Sequence, residues 1–85
     1  MPYIKDADRT RLGMSYFLHE DCPQSAGELN YLFTMLAKQY MNKKGLSYQT
    51  INDIVGALDG AKVEFQRRVV APYEDKKIRE NGDVY

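Results

Sequence analysis

Apolar side chains recur at helical spacing in two stretches of the chain. Leu29, Leu32, Phe33, Leu36, Ala37 and Tyr40 mark one face of the first. Ile51, Ile54, Val55, Leu58, Ala61, Phe65 and Val69 mark one face of the second. The first stretch has clear ends. Ser25-Ala-Gly-Glu28 is a capping box, in which a hydroxyl and a carboxylate satisfy free N–H groups of the opening turn. Lys43 and Lys44 suit the negative end of the helix dipole, and Gly45 is a natural stop. The pattern predicts a helix over 26–44. In the second stretch Ser47 or Thr50 can cap, and Pro72 is expected to end or kink the helix because it lacks an N–H. A short helix over 73–79 and a turn at Asn81-Gly82 follow.

Upstream the pattern is weaker. Leu12, Tyr16, Phe17 and Leu18 suggest a helix from Asp6 to about His19, after an extended arm at 1–5. The connector at 45–47 is short, so the two long helices are expected to lie antiparallel. The fold expected is therefore all-α: an antiparallel helical hairpin of two long helices plus a short N-terminal helix. It forms a single helical domain over 1–85, with residues 80–85 as a C-terminal turn and tail.

Length adds a constraint. A helix over 48–71 is about 36 Å long, whereas a compact chain of this size is only about 30 Å across. A domain this small buries only about 60% of its unfolded surface. A homo-oligomer is expected, with a second copy covering one apolar flank. Gly56 and Gly60, each costing about 1 kcal/mol in a helix interior, are read as a site of close backbone approach. Phe65 and Val69 extend that interface, and Val84 and Tyr85 swing back from the terminal turn onto a neighbouring subunit.

Charge and chemistry narrow the function classes. Twelve basic and twelve acidic residues cancel, which ranks nucleic acid last among partners. No apolar run reaches the roughly 20 residues of a membrane span, and the N-terminus carries no apolar signal core. A single cysteine, Cys22, fits a reducing compartment. His19 and Cys22 are three apart, yet structural zinc takes four ligands and no second His or Cys exists. No catalytic motif occurs, so neither an enzyme nor a cofactor is expected. Asp59/Lys62 and Glu64/Arg68 have the spacing of ion pairs within one helix.

The basic cluster Lys62, Arg67, Arg68, Lys76, Lys77 and Arg79 faces only Glu64, Glu74 and Asp75 within residues 62–79. Lys62, Arg67, Arg68, Tyr73 and Lys76 form the candidate ligand site. Arginine forks onto phosphate oxygens and a tyrosine ring stacks on a base. For any one of these charges a solvated helix face is the plainer reading.

GELNY (27–31), SYQTINDIVGALDGAKVEFQRRVVAPYEDKK (47–77) and ENGDVY (80–85) together resemble a family of small proteins of tailed phages and prophages. The likeness covers roughly residues 25–85. It implies an accessory protein of the bacterial host cytoplasm, acting by binding, and carries over no catalytic or ligand residue. Three functions follow in order: capture of an anionic small ligand such as a signalling nucleotide, inhibition of a host enzyme through a Tyr-rich surface, and DNA binding.

Overall fold

The computed structural model describes residues 4–17 and 22–85. Among them the chain is all-helical and contains no strand. The helices are α1 (Asp6–Phe17), α2 (Ala26–Lys44), α3 (Tyr48–Phe65) and α4 (Ala71–Asn81), with a π-turn at Gln66–Val70. The chain divides into two units after Ile51, within the first turn of α3.

In the first unit α1 carries two i, i+3 ion pairs, Arg9 with Asp6 and Arg11 with Asp8. The ends of α2 follow from its sequence. Ser25 Oγ accepts from the Glu28 N–H at 3.1 Å, and Glu28 Oε1 accepts from the Gln24 N–H at 3.2 Å. The carboxylate thus reaches one residue beyond the cap itself. Gly45 stops the helix at φ +86°, its N–H donating to the Met41 carbonyl at 2.8 Å. That backbone is open to glycine and strained for other residues.

Ser47, not Thr50, caps α3. Its Oγ accepts from the Thr50 N–H and donates to Thr50 Oγ1, both at 3.1 Å. Thr50 is buried, at 4% exposure, and no apolar side chain among the described residues is buried.

The second unit, Asn52–Tyr85, departs from the expected break at Pro72. Phe65, Val70 and Ala71 all keep right-handed helical angles, so α3, the π-turn and α4 form one run of 34 residues over 48–81. Such a run is about 51 Å long. Pro72 lacks the N–H that would bond to the Arg68 carbonyl, and its ring would crowd that oxygen. The backbone answers with one wide turn, in which the Ala71 N–H donates to the Gln66 carbonyl, five residues back. Pro72 then sits in the first turn of α4, where its missing N–H costs little. The proline therefore widens the helix without ending it. Gly82 stops α4 at φ +89°, with its N–H on the Ile78 carbonyl at 2.8 Å.

Pro72→Ala restores the missing donor and removes the need for the wide turn. The expected outcome is a modestly higher midpoint in thermal melting followed by far-UV circular dichroism, a gain well below the roughly 3 kcal/mol that an unrelieved interior proline costs. A lower midpoint would mean that the wide turn is itself stabilising.

Candidate interaction surface

The residues that could carry an interaction lie mainly on the run from α3 to α4. A helix advances about 100° per residue, so its faces can be followed one by one. Ile51, Val55, Leu58, Phe65 and Val69 form a narrow apolar seam, and each stays between 43% and 59% exposed. Within Asn52–Tyr85 there is only the helical run and its tail, and a single helix cannot cover its own apolar face.

Gly56 and Gly60 do not share this seam. Gly56 is nine residues from Phe65, half a turn around the helix, and a Cβ added there would meet nothing within 4 Å. Gly60 lies about 140° from Phe65 and is half-buried. The glycines therefore face away from Phe65 and Val69.

The basic residues are more neutralised than their spacing along the sequence implies. Glu64, whose side chain is only 19% exposed, receives Arg67 Nη1 at 3.4 Å and Arg68 Nε at 3.3 Å. Glu80 receives Lys76 Nζ at 3.9 Å and Lys77 Nζ at 3.5 Å. The Lys77 ammonium also lies 5.5 Å above the Tyr73 ring, within range of a cation–π attraction. The expected Asp59/Lys62 pair does not form, whereas Glu64/Arg68 does. Across residues 52–85 there are six basic and seven acidic side chains, so the local cationic excess disappears. Lys62, Arg67 and Arg68 leave the helix in three directions, each roughly 100° or more from the others. Tyr73 and Lys76 join the Glu80 end of α4, so the five do not share one face of the helical run. Glu80 was the missed residue. It stands one position beyond the 62–79 stretch, and its i, i+3 and i, i+4 spacing to Lys77 and Lys76 was the available signal.

The tail closes an open recess of about 370 Å³, lined by Glu74, Lys77, Ile78 and Asn81 of α4 and by Gly82 to Tyr85. The Tyr85 N–H donates to Asp83 Oδ1 at 2.9 Å, an Asx-type turn. Val84 and Tyr85 stay fully exposed and do not pack back onto the apolar surface of the chain. His19 lies outside the described residues, and Cys22 is an exposed free thiol. Among the described residues there is no group of side chains suited to a metal ion, and no helix long and apolar enough to cross a membrane.

These features define a chain that is all-helical among the described residues, with a half-exposed apolar seam and a surface of paired charges. The chain belongs to the family described as Domain of unknown function (DUF6899), whose sequence profile matches residues 1–84. No curated protein and no solved structure matches it.

Gly56→Ala tests whether another backbone approaches the glycine face. Open space beside Gly56 predicts a stabilisation of about 1 kcal/mol from helix propensity, read as a higher melting midpoint with unchanged solution mass. A loss of stability or of mass would place a close contact there.

Proposed function

We propose that the chain is a non-enzymatic helical interaction module that works as a homo-oligomer, a phage-type accessory protein of the bacterial cytoplasm. The antiparallel hairpin of α2 and α3 is part of this proposal. The observation that carries it is the exposed seam Val55, Leu58, Phe65 and Val69 on a helical run that has no second element in its own unit. Isolated helices are marginal in water, and most helical stability comes from packing an apolar face. Lengths point the same way. At 1.5 Å per residue, α2 is about 28 Å long and the run from α3 to α4 about 51 Å, so in the hairpin α2 flanks one side of α3 and leaves the seam's other side and the rest of the run to a second copy. A second copy supplies an apolar face of matching length.

The test is solution mass by sedimentation or light scattering. Wild-type chain is expected at a multiple of the 9.8 kDa monomer. Leu58→Glu and Phe65→Glu are each expected to weaken association at least about tenfold, since burial of one such side chain contributes about 1.5–3 kcal/mol. A monomeric wild type that co-purifies with a host protein would replace self-association with inhibition of that partner.

A second reading, capture of an anionic ligand such as a signalling nucleotide to antagonise host defence, draws on Lys62 and Arg79. Neither cation has a partner among the described residues. The Arg67 and Arg68 pairs are exposed on the arginine side and can exchange for phosphate. It predicts a rise in melting midpoint with one of a panel of mono- and cyclic nucleotides, abolished by Arg67→Ala or Arg68→Ala. A flat response across the panel rejects it.

A further inference from the structure

The seam of α3 has a repeat that specifies its partner further. Ile51, Val55, Leu58, Lys62, Phe65 and Val69 follow one another at steps of 4, 3, 4, 3 and 4 residues. This is the seven-residue period with which one helix lays a narrow seam against another of the same period. The run is also symmetric about position 60. Along the regular α-helix the residues equidistant from it pair as Val55 with Phe65 and Leu58 with Lys62, and Ile51 comes level with Val69 in the π-turn. Two copies running in opposite directions about a two-fold axis at the level of Gly60 bring each of these pairs together twice. A two-fold interface requires this kind of self-complementarity.

Lys62 is the one polar residue of the seam. Neither its ammonium nor the carboxylate of Asp59, three residues before it, has an ion-pair partner among the described residues, and both are exposed. Asp59 lies about 60° from Lys62 around the helix, at the edge of the seam on the Lys62 side. In the opposite-running arrangement Lys62 of one copy comes level with Leu58 and Asp59 of the other, on that same flank. The two unpaired charges then find each other, once on each side of the axis. In a parallel pair Lys62 would instead meet Lys62, and like charges brought together oppose association. On the other flank Ala61 lies nearest the axis, small enough to let the two backbones approach.

We infer that two copies of α3 pair antiparallel about an axis at the level of Gly60, with Ile51 to Val69 as the seam and two Lys62–Asp59 ion pairs between copies. A single buried polar residue that fixes orientation and register is an attested device in paired helices. The inference rests on the self-association proposed above and adds its direction and register.

The experiment uses the full-length chain with Cys22→Ser, which removes the exposed native thiol. Ala61→Cys faces its own copy across the proposed axis and is expected to form a disulfide-linked dimer under mild oxidation. Val55→Cys faces Phe65 of the second copy and is expected not to link to itself. Lys62→Glu and Asp59→Lys, each made alone in the wild-type chain, set like charges against each other and should lose dimer mass. Their equimolar mixture restores both opposite-charge pairs and should recover it. Far-UV circular dichroism on each variant separates lost pairing from lost helix. If Val55→Cys links to itself, if Ala61→Cys does not link, or if the charge mixture does not recover the dimer while wild type keeps its mass, the antiparallel register is overturned and self-association stands. A wild-type chain of monomer mass overturns both.

Discussion

A helix cannot bury its own side, and the second half of this chain is one helix. Everything from Asn52 to the terminal tail belongs to a single helical run with no companion element in its unit. Burying apolar surface is the main favourable term in folding, and ordering each residue costs roughly 1–2 kcal/mol of backbone entropy. With Val55, Leu58, Phe65 and Val69 all about half exposed, the run lacks its largest stabilising contribution until something covers them. The caps at Ser25, Ser47, Gly45 and Gly82 fix where helices begin and end. They do not substitute for packing, since each is worth only about 1 kcal/mol.

The charges act on a smaller scale and for a different end. Glu64 and Glu80 each gather two cations, and Tyr73 lies under a third contact through Lys77. Pairs this exposed are worth about 0–1 kcal/mol. They neutralise charge along the polar faces of a long helix and leave the apolar strip as the distinctive surface. Lys62 and Asp59 stand apart, as a cation and an anion on the same helix that do not reach each other.

How far the sequence foretold this depends on whether the signal is local. The limits of α2 were legible to the residue, because Ser25, Glu28, Lys43, Lys44 and Gly45 act within one turn of where they stand. Ser47 and Thr50 were equally readable as a pair, though only the geometry assigns which one caps. Pro72 was read as a stop because a missing N–H and a crowded carbonyl are written in the residue type, while a wide turn that avoids both is a property of the backbone. The basic cluster misled through its dimension. Counting along the chain placed Lys62, Arg67, Arg68, Tyr73 and Lys76 together, yet a helix sends neighbours in different directions and puts Glu80 within reach of two of them. The separation of the glycines from the seam was legible in the sequence, since nine residues between Gly56 and Phe65 already place them on opposite sides.

The π-turn has a consequence for chain length. A π-turn is the helical equivalent of inserting one residue, because every position after it is rotated by one step relative to a plain α-helix. Counting the seven-residue repeat onward from Phe65 leads to Pro72, and the extra residue in Gln66–Val70 hands that place to Tyr73. A chain lacking one residue in this turn, and with another residue in place of Pro72, would present Tyr73 and Lys77 on the same side with an unbroken α-helical ladder. Chains of 85 and 84 residues therefore offer the same surface, and a one-residue deletion at this point, ordinarily ruinous inside a helix, would leave the faces on either side in register.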